Sequence, residues 1–213
     1  MLHTETVAPS TLSLLKSLQN DDFLADFVLV GGTSLSLQIG HRVSIDLDLF
    51  AQGDFKMEEL SFHLEEAFGF SAYNMSNSIL QGYIDGVKTD FVRYPYKTIR
   101  DIIRTDGIRL ISSADIAAMK LSAIMMSGKR LKDFVDISFL SQYYSTFEML
   151  GFFAEKFPKS SPISAEKSLI YFKDIDFDVE IKLFEKDFKW IPVKNRLLEM
   201  SRYPHRVFDS APL

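Results

Sequence analysis

Val30-Gly31-Gly32-Thr33-Ser34, then Gly40-His41-Arg42, then Ser44-Ile45-Asp46-Leu47-Asp48-Leu49-Phe50: the reading of this stretch decides the fold. Phe27-Val28-Leu29-Val30 is short and apolar, the pattern of a buried strand, and the glycine pair follows it directly. Residues 46–50 alternate strictly, so they read as another strand with Leu47 and Leu49 turned to the core. On a strand, positions i and i+2 share a face, which sets the Asp46 and Asp48 carboxylates side by side with Cα atoms about 6.5–7 Å apart. Like charges at that spacing repel, and a cation between them removes the conflict. A hard divalent ion, Mg²⁺ or Mn²⁺, prefers carboxylate oxygens and completes its shell with water and phosphate. Gly31 and Gly32 leave backbone N–H groups open to an anion, and Thr33 and Ser34 add hydroxyl donors. A phosphate cradle beside a carboxylate clamp is the equipment of phosphoryl or nucleotidyl transfer. No Gly-Lys-Ser/Thr follows, so the turn is not a P-loop.

Outward from this stretch the pattern is mixed. Pro9 starts a helix with Leu12, Leu15 and Leu18 on one stripe. Met57, Leu60, Leu64 and Phe68 form another stripe. Ile79–Ile84 and Val87–Tyr94 are strand-like runs joined by Asp85-Gly86, a strong hairpin signal. Ile108–Ile111 is a further short strand, and Ser112 to Asp115 offer capping groups for a helix to about residue 126. A second helix covers about 131–143, and the rest suits several short helices punctuated by Pro158 and Pro162. The pattern predicts an α+β chain: a small mixed sheet with flanking helices over residues 1–112, then a helical domain over 113–213.

Composition narrows the function. The chain has 213 residues, a net charge of −5 and no cysteine, which excludes a disulfide scaffold, a thiol nucleophile and a Cys-ligated metal. An acidic chain is not a bulk nucleic-acid binder. Four histidines without ligand spacing argue against zinc at His41. The N-terminus lacks a signal-peptide pattern and no apolar run spans a bilayer, so the expectation is a cytoplasmic protein with no membrane partner.

The motif from Gly31 to Phe50 resembles that of the AbiEii/AbiGii toxin family, nucleotidyltransferases of the polymerase-β-like superfamily. Thirteen residues separate Gly32 from Asp46, close to the superfamily spacing. Asp115-Ile116-Ala117-Ala118-Met119-Lys120 fits the family's Asp-x-x-x-x-Lys motif, and Lys132-Asp133-Phe134-Val135-Asp136 fits its Lys/Arg-Asp-x-x-Asp motif. Ser127-Gly128-Lys129 departs from it, with serine where the pattern has arginine. The resemblance covers roughly residues 27–140. It implies a nucleotidyltransferase core in which Asp46 and Asp48 hold metal ions. A third carboxylate on the strand after the hairpin, Asp90, holds one metal and acts as general base. Asp85 is the rival, marked as a turn residue by Gly86.

Lys120 leaves an apolar helix flank, so it either snorkels to water or meets a buried anion; the resemblance makes that anion the triphosphate. Asp115, about 140° round the helix from Lys120, reads as an N-terminal helix charge. Asp133 and Asp136 share a face, where they pair with Lys132 or Lys129, position Lys120, or touch the nucleotide. Arg42 contacts phosphate or braces its loop. The expected activity is transfer of a nucleoside monophosphate from a nucleoside triphosphate to a hydroxyl, with tRNA as a candidate acceptor and a cognate antitoxin as a candidate partner. The alternatives are a silent nucleotide-binding module and a transferase acting on a protein or small molecule. Lys88, Arg93, Lys97, Arg100, Arg104 and Arg109 crowd around the Asp90 strand, with Lys129, Arg130 and Lys132 further on. If the acceptor is RNA, these groups are the ones to neutralise its phosphates.

Overall fold

The computed structural model describes residues 1–53, 55–184 and 186–213. They form two compact units. The first comprises Met1–Gly40, Ser44–Lys97 and Asp101–Ile111; the second comprises His41–Val43, Thr98–Arg100 and Ser112–Leu213.

The first unit is built on a seven-stranded sheet: β1 (Val28–Leu29), β2 (Leu47–Ala51), β3 (Ser71–Met75), β4 (Ile79–Ile84), β5 (Val87–Arg93), β6 (Ile103–Thr105) and β7 (Ile108–Leu110), in the order β3-β4-β5-β2-β1-β7-β6. The alternation in β2 places it: Leu47, Leu49 and Ala51 are buried, and Asp48 and Phe50 turn to the opposite face. β2 runs antiparallel to β1 and parallel to β5. Three helices belong to this unit: α1 (Pro9–Asn20), α2 (Gly31–Ile39) and α3 (Met57–Phe68). Pro9 opens α1 where its missing N–H costs nothing. Leu15, Leu18, Leu60 and Leu64 join Leu29, Leu47, Leu49 and Leu80 in one core. Phe91 meets Phe27 and Phe70 edge-on within it.

Two of the hairpins turn in the same way. Asp85 (φ 49°) and Gly86 (φ 77°) join β4 to β5. Asp106 (φ 53°) and Gly107 (φ 74°) join β6 to β7 in the same way. Consecutive positive φ values match the twist of the flanking strands. The sequence pattern predicts no strand at β3 or β6, the two sheet edges; all five residues of β3 are exposed, so no alternation marks it.

The second unit is helical: α4 (Ser113–Met126), α5 (Leu131–Leu140), α6 (Thr146–Lys156), α7 (Pro162–Ser168) and α8 (Trp190–Arg202). α4 packs on α5, α6 and α7, and α5 packs on α8. Ser145 and Glu148 form a reciprocal capping box at the start of α6. The tripeptide His41–Val43 belongs to this unit: Val43 N–H donates to Lys182 O (2.8 Å), and Arg42 bridges to Leu183. Among the described residues no helix is long and apolar enough to cross a membrane.

Candidate active site

Register brings two of the three carboxylates together. Asp48 pairs with Asp90 across β2 and β5, flanked by Leu47 with Thr89 and Leu49 with Phe91. Neighbouring strands lie about 4.8 Å apart, so Asp48 and Asp90 rise side by side from one face. Asp46 sits just before β2, half-buried like Asp48.

Asp90 is 7% exposed. Its Oδ2 accepts from Gln81 Nε2 (2.6 Å) and lies 3.2 Å from Lys88 Nζ. Its Oδ1 is buried and, among the described residues, has no hydrogen-bond partner. A buried oxygen left so costs about 1–3 kcal/mol, which a bound cation would recover. Burial alone would lower the Lys88 ammonium, but hydrogen bonding and charge from Asp90, with smaller help from Tyr73 and Asp46, raise it. Among the described residues no three His, Asp or Glu side chains converge as a ready-made metal cage. Two carboxylates completed by substrate phosphate are nonetheless the usual Mg²⁺ arrangement, and the donor set here fits it.

The glycine turn lies against this pair. Gly31 has φ +67°, and a Cβ there would overlap Asp48 Oδ2 and lie 3.3 Å from its Cγ. Val30 N–H donates to the Asp48 carbonyl (2.9 Å), which fastens the turn to β2. α2 begins at Gly31, so the N–H groups of Gly31, Gly32 and Thr33 have no acceptor within the helix and carry its positive end. Gly31→Ala should therefore cost about 1–3 kcal/mol of stability from the left-handed backbone alone. It should also push the Asp48 carboxylate aside and lower transfer beyond what the loss of folded protein explains. A wild-type melting curve together with a wild-type rate would show that the close approach is unimportant.

Thr33 and Ser34 point inward. Thr33 Oγ1 donates to the Asp46 carbonyl and lies 2.8 Å from Ser44 Oγ. Ser34 Oγ accepts from Gln38 Nε2 (3.1 Å), which also reaches Ile111 O (2.9 Å). In this arrangement the two hydroxyls tie the turn to its surroundings, which leaves the main-chain N–H groups of the first turn of α2 as its donors without an acceptor in the helix.

The remaining expected site residues meet in the second unit. Arg42 forks onto Asp136, Nε to Oδ1 at 2.6 Å and Nη2 to Oδ2 at 3.0 Å. Lys120 Nζ lies 2.5 Å from Asp133 Oδ1 and 2.8 Å from Asp136 Oδ2. His41 Nε2 is 2.8 Å from Asp136 Oδ1. All five residues are buried. Burial alone would raise the Asp136 carboxyl, but the Arg42 and Lys120 charges and hydrogen bonds from His41 and Arg42 outweigh it and hold it well below the usual range. For Lys120, burial pulls down and is outweighed by Asp136 and Asp133, so its ammonium is raised. For His41, burial wins over Asp136 and lowers the imidazole.

Asp115, read as a helix-end charge, is a buried hub. It accepts from Lys156 Nζ (2.7 Å), Ser112 Oγ (2.6 Å) and the main-chain N–H groups of Ile99 (2.9 Å) and Arg100 (3.2 Å). The Ser112-x-x-Asp115 spacing is a capping signature that pointed to part of this; Lys156, forty-one residues on, left no local trace. The role of Gln81 beside Asp90 is likewise set by register alone. Of the basic run, Arg109 donates to the carbonyls of Gln19, Leu24 and Phe27, and Arg93 donates to Phe55 O, so both serve the first unit's own main chain.

Comparison with known proteins follows from this geometry. Residues 13–189 match the family described as nucleotidyl transferase AbiEii toxin, type IV toxin–antitoxin system. An uncharacterized protein of Aquifex aeolicus is 31% identical over 155 residues, covering 70% of this chain and 75% of its own. A candidate nucleotidyltransferase from Helicobacter pylori has a similar crystal structure: TM-score 0.59, 16% identity, 93% of this chain and 96% of that one covered. JHP933 from the same organism gives 0.57 and 14%, with 93% of each chain covered. At those identities the likeness is one of fold.

Proposed function

Because this chain belongs to the AbiEii family of nucleotidyltransferase toxins, we propose that it transfers a nucleoside monophosphate from a nucleoside triphosphate to a hydroxyl acceptor in a reaction that needs a divalent metal. The observation that carries the reading is the register pair Asp48–Asp90, with one unpartnered oxygen on Asp90 and the Gly31 backbone packed on Asp48. Asp46, Asp48 and Asp90 would hold Mg²⁺ or Mn²⁺, which when bound supplies charge stabilisation for the triphosphate. The N–H groups of Gly31, Gly32 and Thr33 face its phosphates, and Ser34 keeps the turn in place. Asp90 takes the hydroxyl proton as the acceptor oxygen bonds to the α-phosphorus; the α–β anhydride breaks and pyrophosphate leaves.

RNA is the proposed acceptor, with tRNA the first to try, and an antitoxin is the proposed protein partner; both come from the toxin family rather than from a shaped site. For Arg42, Lys120, Asp133 and Asp136 the geometry favours a brace. A triphosphate contact by Lys120 requires its ammonium to leave a carboxylate.

The test is incubation of the protein with each labelled nucleoside triphosphate, total RNA and Mg²⁺, with a chelator control. The expected result is label on RNA, absent under chelation. Binding without transfer to any acceptor would replace this reading with a silent module. Label on protein or on a small molecule would keep the chemistry and change the acceptor.

A further inference from the structure

The Asp90 carboxylate is held from one side. Gln81 stands opposite Asp90 in the β4–β5 register, and Asn74 stands opposite Gln81 in the β3–β4 register. The three side chains form a row across three strands: Asn74 Nδ2 donates to Gln81 Oε1 (2.9 Å), and Gln81 Nε2 donates to Asp90 Oδ2 (2.6 Å). A carboxylate only accepts, so the amide group of Gln81 must turn its NH₂ to Asp90 and its oxygen to Asn74. Asn74 thereby fixes which way round Gln81 sits.

A second group, Lys88 Nζ, reaches the same Oδ2 at 3.2 Å. Both holders therefore use one oxygen, while Oδ1 is buried and unmatched among the described residues. The two holders differ in charge. An ammonium neutralises the carboxylate, and a side chain that is 36% exposed has room to swing away. A neutral amide fixes the carboxylate and leaves its negative charge intact for a cation.

We infer that Gln81, braced by Asn74, is the positioning residue of Asp90: it tethers Oδ2 and so presents Oδ1 to the reactants. This rests on the reading of Asp90 as metal holder and base. Nothing in the core requires an amide at this place. Along β4, Leu80 and Ile84 are buried, while Ile79 and Tyr83, on the same side as Gln81, are exposed.

The experiment uses the full chain carrying Gln81→Leu, Asn74→Ala or Asp90→Asn. Mn²⁺ alone is the probe, titrated by electron paramagnetic resonance without nucleotide. kcat and KM for the triphosphate are measured in parallel, and thermal melts report folding. Gln81→Leu should lose roughly 10–100-fold in Mn²⁺ affinity and in kcat, the range for groups that orient metal ligands, with KM and melting temperature unchanged. Asn74→Ala should move both quantities in the same direction by less. Wild-type Mn²⁺ affinity and kcat in Gln81→Leu would overturn the inference, as would a loss that only tracks the folded fraction. Asp90→Asn separates the two levels. If it is inert while Gln81→Leu is normal, only the positioning role fails. If it transfers normally, the reading of Asp90 fails and takes this inference with it.

Discussion

Asp48→Asn stops nucleotidyl transfer while the first unit stays folded; that is the largest effect expected of any single substitution, with Asp46→Asn close behind. A metal's charge stabilisation amounts to several kcal/mol, and each 1.4 kcal/mol is tenfold in rate, so the loss should reach about three orders of magnitude. Stability should move the other way. Asp48 stands beside Asp90, and relieving like-charge repulsion should hold or raise the melting temperature in metal-free buffer. Mg²⁺ should stabilise the wild-type protein by mass action and leave the variant's melting curve where it was. Transfer by either variant at the wild-type rate, or transfer by the wild-type protein in excess chelator, would end the metal mechanism.

The second large effect is on folding. Asp136 is fully buried between Arg42 and Lys120. Asp136→Ala takes from Arg42 and Lys120 the carboxylate they share and leaves Lys120 on Asp133, and breaking a buried pair in this way costs about 3–5 kcal/mol. Against a typical total of about 5–15 kcal/mol, that should appear as a large drop in the urea midpoint.

The same cluster sets the pH dependence. Asp136 is depressed in the folded state, so its contribution is complete above the unfolded value near 4 and disappears as pH falls through the folded one. His41 is also depressed, so the unfolded chain takes up its proton first, and stability begins to fall below about 6.5. Lys120 is raised, so its contribution persists through neutral pH and is lost only on the far alkaline side. Thermal melts should therefore decline in two steps on acidification, and Asp136→Asn should lack the lower one. A melting temperature constant from pH 7 to 4 would contradict the cluster's role.

What the sequence made legible was local. The alternation of residues 46–50 located β2, and Asp85-Gly86 located the β4–β5 hairpin because two positive φ angles in succession demand such residues. Asp106-Gly107 carries the same signal, yet β6 leaves no pattern beside it: three residues with Arg104 in the middle have too little alternation to read. β3 was hidden because an edge strand exposed along its whole length has no buried face to pattern. Around the candidate site, alternation set Asp46 and Asp48 on one face and the family resemblance pointed to Asp90, but neither gave the pairing of Asp48 with Asp90, which depends on a parallel register between strands some forty residues apart. Lys120 and Asp136 were each visible as motif residues. Their meeting with Arg42 was not, because it joins a loop to a helix ninety-four residues later.

The tripeptide His41–Val43 has a consequence for how the gene can be divided. It is encoded between α2 and β2, yet it supplies the guanidinium that balances Asp136 on α5. A fragment starting at residue 112 would carry that aspartate against Lys120 alone. Swapping either half between relatives would likewise import one sign of the cluster without the other. Recombination that keeps a working protein must therefore move the loop and the α5 aspartates as one inherited block, and residue 111 is no natural seam for a crossover.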